Sequence, residues 1–253
     1  MGIFYIDTEY TNGNYYLGDI FEIAVLSESS GFLFHSYVNT QQQLPRYVSN
    51  MCNVTNAFIK NSPPFNEVMN DLIQFIKQEE LNKVETTTTV LIAHGGYLFD
   101  YPLLITNCMR RSDSTTIEHS NFVQAMEHYI FIDSIQVLQR LGYKRTSLDV
   151  LKDNSSNSRI HSAAKDVAIL RDIVKKYDVL CNITSPLSYT LRDILCYMQT
   201  KLPISIDELC KFADEAPSRE DLETILYTYA NKKTALNAKQ LCTIANMYFV
   251  KQL

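Results

Sequence analysis

Two carboxylates stand at the end of the first apolar run of the chain, in the motif Asp7-Thr8-Glu9. Residues two apart on a strand project to the same face, so both acidic side chains can meet one cation. Converging carboxylates raise each other's pKa unless a cation lies between them, and a divalent metal ion supplies that charge. An Asp-x-Glu pair at a strand end is more often a solvated turn, so the motif alone is a weak indication of a metal site.

Asp100 is a further acidic candidate, and it follows the double-glycine turn Gly95-Gly96. The segment passes from an apolar strand into a helix whose first turn holds Asp100 and tolerates Pro102. The glycines do not predict a nucleotide-binding loop, because neither GxGxxG nor GxxxxGK(S/T) is present. A structural role stays open at this point, in which Asp100 only complements the helix dipole.

A strongly helical segment later in the chain begins between His161 and Asp166. Residues five apart do not lie on one face of a helix, so the two act together only if His161 precedes the helix and bends inward. A single histidine at a helix start is more often a capping or surface residue than a general base. Each of the three motifs therefore has a structural explanation when it is taken alone.

The elements that must position these residues alternate between strand and helix over roughly residues 1–180. Apolar and β-branched runs between glycine-containing turns predict strands over Gly2–Asp7, Ile20–Leu26, Phe32–Val38, Thr87–Ala93 and Tyr129–Ile132. Helical spacing of apolar residues predicts helices over Thr55–Ile59, Asn66–Ile76, Leu98–Met109, Ser134–Leu141 and Ser162–Tyr177, with a short amphipathic piece at Ser147–Leu151. This order predicts an α/β fold in which helices flank a mixed sheet.

From about Ser185 the pattern changes to helix after helix with no convincing strand. We therefore predict one domain over residues 1–184 and an all-helical C-terminal extension over residues 185–253. The apolar stripes of the extension are typical of a packed core. These stripes are compatible with packing against the first domain, with contact with a second copy of the chain, and with contact with another protein, such as a polymerase or helicase.

A net charge of −5 argues against a protein that coats nucleic acid through a broad basic surface. An enzyme that grips one chain end is compatible with this charge, because metal ions neutralise phosphate locally. The six cysteines form no CxxC pair, so a structural zinc site is not expected. The chain begins with strand-like sequence and has no apolar run of transmembrane length, which predicts an intracellular protein, in cytoplasm or nucleus, that is neither secreted nor bound to a membrane.

In combination and in this order, the three motifs resemble those of the DEDDh (DnaQ-like) 3′→5′ exonuclease family. That family carries Asp-x-Glu on its first strand, an Ala-His-Asn turn leading to Phe-Asp, and His-x-Ala-x-x-Asp at a late helix. The matching stretches are Asp7–Glu9, Ala93–Asp100 and His161–Asp166, with weaker matches at Ile20–Val25, Val54–Phe58, Ser62–Phe65 and Ile132–Ser134. The resemblance covers roughly residues 1–180 and looks most like the three-prime repair exonuclease branch.

One position departs from the family pattern. Gly95 stands where members usually carry Asn, so a hydrogen bond that helps to place the turn is expected to be missing. The departure is expected to weaken nucleotide positioning, since it removes no metal ligand.

The resemblance implies a ribonuclease H-like fold and a two-metal 3′→5′ exonuclease. It implies two divalent cations, Mg²⁺ or Mn²⁺, held by the carboxylates Asp7, Glu9, Asp100 and Asp166, with His161 as the general base. Oxygen ligands suit these hard cations better than they suit zinc. The implied reaction hydrolyses the terminal phosphodiester of single-stranded or frayed DNA and releases 5′-mononucleotides.

Two alternatives stay open at the level of sequence. The chain gives no sign of how the site treats a 2′-hydroxyl, so an exoribonuclease or oligoribonuclease acting on RNA is one of them. The other is an inactive nuclease-fold module that binds a partner or acts as a scaffold. Single-stranded ends are usually held by base stacking on aromatic residues, for which the candidates near the motifs are Tyr10, Tyr15, Tyr16, Tyr97 and Tyr101.

Overall fold

Six strands form one mixed sheet in the part of the chain that the computed structural model describes, namely residues 1–13, 18–40, 42–81, 88–111, 125–151, 161–182 and 187–200. The strands are β1 (Gly2–Tyr10), β2 (Ile20–Ser27), β3 (Leu33–Tyr37), β4 (Thr89–Ala93), β5 (Tyr129–Asp133) and β6 (Ser188–Tyr189). Their order across the sheet is β3-β2-β1-β4-β5-β6. The pairs β1–β4 and β4–β5 are parallel, and the other three pairs are antiparallel.

Helices cover both faces of this sheet. They are α1 (Arg46–Cys52), α2 (Asn56–Lys60), α3 (Phe65–Leu81), α4 (Asp100–Arg111), α5 (Ser134–Arg140), α6 (Leu148–Leu151), α7 (Ala163–Lys176) and α8 (Leu191–Thr200). The core on one face contains residues of α3, α4 and α8, and the core on the other contains residues of α5 and α7. Because both faces are covered, β2 and β4 are buried at every residue and their sequences are continuous apolar runs apart from a few polar positions. The predicted α/β fold with a mixed sheet is confirmed.

The alternation of side chains along β1 fixes the face on which its acidic residues lie. Phe4 and Ile6 belong to the core beneath α3 and α4, whereas Tyr5 belongs to the core beneath α7. Since successive side chains of a strand point to opposite faces, Asp7 and Glu9 share the α7 face with Tyr5. The sequence-based expectation that the two carboxylates share a face is confirmed.

The first strand is longer than its apolar run. β1 continues to Tyr10, so the predicted strand Gly2–Asp7 is three residues too short, and Asp7 and Glu9 lie within the last four residues of β1. Backbone pairing with β2 extends it, with Asp7 opposite Ala24 and Glu9 opposite Glu22. The pairing becomes irregular only between Glu9 and Tyr10.

A short strand occurs where the sequence predicts only helices. β6 pairs with β5 over two residues, Ser188 and Tyr189, which is too short a segment to show an alternating pattern. α8 follows it, and its apolar side chains join the core beside α4. The boundary near residue 184 stays a prediction, and residues 201–253, most of the predicted extension, lie outside the described residues.

Among the helices of the described residues, none is both long enough and apolar enough to cross a membrane.

Candidate active site

Three elements bring the acidic candidates to one end of the sheet. β1 carries Asp7 and Glu9, α4 begins at Asp100, and the first turn of α7 holds Asp166. The charges of Asp100, Glu9 and Asp166 all act on the Asp7 carboxyl. Residues from the beginning, middle and later part of the chain therefore form one acidic cluster.

His161 precedes α7 and is turned toward this cluster. Its backbone N–H donates to the carbonyl of Met51 at the end of α1 (3.1 Å). Its Nδ1 lies 3.8 Å from Oδ2 of Asp166, and its side chain is 47% exposed. One ligand atom from each of Glu9, His161 and Asp166 lies within 4.8 Å of the others. His161 thus precedes the helix and bends inward, which is the arrangement that allows it to act together with Asp166.

Asp100 is anchored directly to the strand that carries the first two acids. Its Oδ1 accepts hydrogen bonds from the backbone N–H of Thr8 (3.0 Å) and from the Thr8 hydroxyl (2.8 Å). Burial raises the pKa of Asp100 to about 6, although the two hydrogen bonds from Thr8 act in the opposite direction. The contact fixes the first turn of α4 against β1.

The remaining carboxylates are also shifted in the direction expected of crowded, buried acids. Burial, followed by the charge of Asp100, raises the pKa of Asp7 well above its usual range. Burial, followed by the charge of Glu22, raises the pKa of Glu9 to about 8, and a weak hydrogen bond from the Cys52 thiol (3.6 Å) opposes this rise. In the metal-free protein these carboxyls therefore keep their protons to a higher pH than isolated carboxyls do.

Divalent cations fit these donors. The cluster offers carboxylate oxygens, which are the ligands that Mg²⁺ and Mn²⁺ prefer. Burial and, after it, repulsion between the carboxylates raise the pKa values of Asp7 and Glu9, and a bound cation would offset both effects. Asp7, Glu9, Asp100 and Asp166 are thus the residues that could hold metal, with His161 at the exposed side.

The turn before α4 explains why Gly95 can replace the usual Asn. Gly95 has a φ of +83°, a conformation that Gly adopts freely and Asn more readily than most other residues. Its N–H donates to Oδ1 of Asp133 (2.9 Å), and the N–H of Tyr97 donates to Oδ2 (3.2 Å). Asp133 therefore supplies hydrogen bonds that hold the turn. Asp133 belongs to the stretch Ile132–Ser134 that resembles the family, and its role in the turn is not visible in the sequence.

His94 lies in the same motif but has a structural environment. Its Nδ1 lies 2.8 Å from the Ser134 hydroxyl. Burial lowers the pKa of His94 to about 4, so the ring is neutral at pH 7. His161 is therefore the histidine of the two that is accessible to solvent beside the acids.

Two participants were missed by sequence reasoning. Glu22 is fully buried in the apolar strand β2, opposite Glu9, and Thr8 anchors Asp100. An acidic residue within an otherwise apolar strand is a visible signal, because such residues avoid strands. Thr8 gives no signal of this kind, since threonine is common in strands.

The aromatic candidates differ in accessibility. Tyr101 is fully buried, and its hydroxyl donates to main-chain carbonyls, so it belongs to the core. Tyr97 stacks on Tyr189 at a centroid distance of 4.2 Å. Tyr15 and Tyr16 lie outside the described residues. The large apolar side chains next to Asp100, Leu98 and Phe99, are each 43% exposed.

Comparison with known proteins gives the class of protein that this fold and cluster define. The sequence model of the exonuclease family, RNase_T, matches residues 4–174. The chain belongs to this exonuclease family, a family of nucleases that hydrolyse phosphodiesters with divalent metal ions. The predicted DEDDh, DnaQ-like family is thereby confirmed, and the three-prime repair branch within it stays a prediction.

Curated relatives include the DNA polymerase III subunit epsilon of two bacteria. The protein of Rickettsia typhi is 23% identical over 148 residues, and that of Rickettsia conorii is 27% identical over 148 residues. Each match covers 57% of this chain and 57% of the relative. The chain thus spans little more than half the length of the curated relatives that it matches.

Solved structures share the fold at low sequence identity. The nuclease domain of 3′hExo, a DEDDh family member bound to rAMP, has a TM-score of 0.55 at 17% identity and covers 72% of this chain and 94% of that domain. A full-length 3′-exonuclease has a TM-score of 0.51 at 15% identity and covers 81% of this chain and 93% of its own. A 3′-exonuclease in 3′-end specific recognition of a histone mRNA stem-loop has a TM-score of 0.52 at 14% identity, covering 75% of this chain and 89% of its own.

Proposed function

We propose that the chain is a 3′→5′ exonuclease that removes 5′-mononucleotides from single-stranded or frayed DNA ends. The observation that carries the proposal is the convergence of four carboxylates and His161 from three separate parts of the chain. Repulsion within such a cluster costs stability in the absence of cations. A binding or scaffold module has no physical need for a cluster of carboxylates, so the cluster favours a catalytic site.

Two divalent cations, Mg²⁺ or Mn²⁺, would be held by Asp7, Glu9, Asp100 and Asp166. Asp7 is close enough to the other three carboxylates to be affected by their charges, so it would be a shared member of this ligand set. Glu9 and Asp166 are the members of this set whose ligand atoms lie close to the His161 imidazole. When bound, such ions polarise the phosphodiester and stabilise the charge that develops on its oxygens.

His161 would act as the general base in this reaction. With Nδ1 directed toward Asp166, Nε2 is the nitrogen left to accept the proton of the attacking water. Water gives a proton to His161 and attacks the phosphorus of the last phosphodiester. The bond to the 3′ oxygen breaks, this oxygen takes a proton from solvent to become the new 3′-hydroxyl, and the mononucleotide leaves with a 5′-phosphate.

DNA is the proposed substrate, and RNA is the second candidate. The DNA proposal is supported by the curated relatives, which are subunits of a DNA polymerase. Solved structures of the same fold favour RNA, since one is bound to rAMP and another recognises a histone mRNA stem-loop. The exposed Leu98 and Phe99 beside Asp100 provide apolar surface on which a terminal base of either polymer can stack.

The test uses end-labelled single-stranded DNA and RNA of the same sequence, incubated with Mn²⁺ and with wild-type chain, Asp7→Ala or Asp172→Ala. Asp172 lies on α7 and is 71% exposed, so its removal controls for the loss of one acidic residue. We expect stepwise release of mononucleotides from DNA by wild type and Asp172→Ala but not by Asp7→Ala. If mononucleotides are released only from RNA, the chain is an exoribonuclease. If neither polymer is degraded in the presence of metal, the proposed activity is wrong and the chain is an inactive binding module.

A further inference from the structure

Glu22 is a buried carboxylate beside the proposed metal site that the reaction itself does not use. It lies opposite Glu9 in the β1–β2 pair and is fully buried. Its Oε1 accepts a hydrogen bond from the Ser162 hydroxyl (2.9 Å) and lies 2.9 Å from Nε2 of His35. Its Oε2 is also buried and has no hydrogen-bond partner among the described residues. Burying a carboxylate oxygen without a hydrogen-bond partner costs stability.

Ser162 is the partner that connects Glu22 to the site. It is the N-cap residue of α7, the position at which a serine side chain usually accepts a hydrogen bond from its own helix. No such side-chain bond is formed here, and the hydroxyl donates to Glu22 on the facing strand β2 instead. Ser162 also follows His161 directly and lies one turn before Asp166, so its position determines where both of these residues stand.

We propose that Glu22 is a positioning residue for the active site. Through Ser162 it fixes the start of α7 against β2, and thereby holds His161 and Asp166 at their distances from Glu9. The inference rests on the proposed function, because it concerns the same carboxylates and the same base. Side chains that orient metal ligands in this way typically contribute about 10- to 100-fold to metal affinity or activity.

The alternative is that the charge of Glu22 acts directly on the site, and the experiment must distinguish this from positioning through Ser162. Glu22→Gln keeps an oxygen that accepts the Ser162 hydroxyl and removes the charge. Glu22→Ala removes both, and Ser162→Ala removes only the hydrogen bond. Ser30→Ala is the matched control, because the Ser30 hydroxyl also donates to a buried carboxylate, Glu79 (2.6 Å), beyond the opposite end of β2.

Two measurements are made on each variant of the full chain. Calorimetric titration of the metal-free protein gives the affinity for Mn²⁺, and release of mononucleotides from DNA at saturating Mn²⁺ gives kcat and KM. Thermal unfolding in EDTA reports stability separately. We expect Ser162→Ala and Glu22→Ala each to lower Mn²⁺ affinity or kcat by about tenfold with KM unchanged. The double variant should be no worse than Glu22→Ala, because both changes remove one interaction.

The conservative variant and the control complete the test. Glu22→Gln should stay within about threefold of wild type in both measurements, because the acceptor is retained. Ser30→Ala should match wild type. Equal impairment of Glu22→Gln and Glu22→Ala, or a Ser162→Ala variant with wild-type Mn²⁺ affinity and kcat, would overturn the positioning role. A wild-type chain that releases no nucleotide would defeat the proposed function instead, and the Mn²⁺ titrations would still decide the role of Glu22.

Discussion

Removing the charge of Asp100 should stabilise the metal-free protein. Burial raises the pKa of Asp100 from its usual 3.8 to about 6. A shift of this size corresponds to about 3 kcal/mol of destabilisation once the carboxyl is ionised. Asp100→Asn keeps an oxygen that can accept both hydrogen bonds from Thr8, so the contact between α4 and β1 is retained. We therefore expect the variant to unfold with a free energy about 3 kcal/mol higher than wild type at pH 8.

The pH dependence gives the sign of this effect. Because the folded-state pKa lies above the unfolded-state value, the folded protein binds more protons between pH 3.8 and about 6. The contribution of Asp100 to stability is therefore fully present below this window and is lost as the pH rises through about 6. The advantage of Asp100→Asn over wild type should accordingly be large at pH 8 and small near pH 4.

Urea unfolding in EDTA, extrapolated linearly at both pH values, measures the difference. Asp172→Asn, on the exposed side of α7, is the control and should not differ from wild type. Mn²⁺ at about 100 times its dissociation constant should stabilise wild type by about 3 kcal/mol and the Asp100 variant by much less. A variant no more stable than wild type at pH 8 in EDTA would refute the argument that burial of this charge opposes folding.

The two glycines of the turn before α4 give a contrasting pair of predictions. At Gly95 a Cβ would meet only ordinary contacts (Ile135 Cδ1 at 3.4 Å), so the positive φ decides the cost. Gly95→Ala should lower the free energy of unfolding by about 1 kcal/mol more than Gly95→Asn, as measured in urea, since Asn tolerates this conformation. At Gly96 a Cβ would lie 2.4 Å from the Ala93 Cβ. Gly96→Ala should therefore lower the free energy of unfolding by about 1–3 kcal/mol. An unchanged urea midpoint would contradict the close packing at this position.

The five longer strands could be predicted from the sequence because each contains apolar or aromatic residues close to a turn. Strand β6 could not, since two residues carry no period. The shared face of Asp7 and Glu9 follows from the period of any strand, whichever neighbour the strand pairs with. The extension of β1 beyond Asp7 depends instead on backbone pairing with β2, which no local pattern contains.

Convergence of the other site residues could be predicted only from their order in the family. His161 approaches Asp166 because α7 begins at Ala163, and its backbone is held by Met51, more than 100 residues earlier in the chain. The same limit applies to Glu22, whose acidic character is visible in the sequence. Its contact with Ser162 spans a separation of 140 residues, which is set by the packing of α7 on the sheet.

The two helices that contribute acids are each tied to the sheet by a side chain next to the Asp7–Glu9 pair. On β1 the odd-numbered residues Asp7 and Glu9 face α7, while Thr8, between them, holds Asp100 on α4. On β2 Glu22 holds Ser162 at the start of α7. These hydrogen bonds act against the repulsion that would separate the acids in the metal-free protein. A site that is assembled before metal binds loses less free energy to reorganisation when the ions and the nucleic acid arrive.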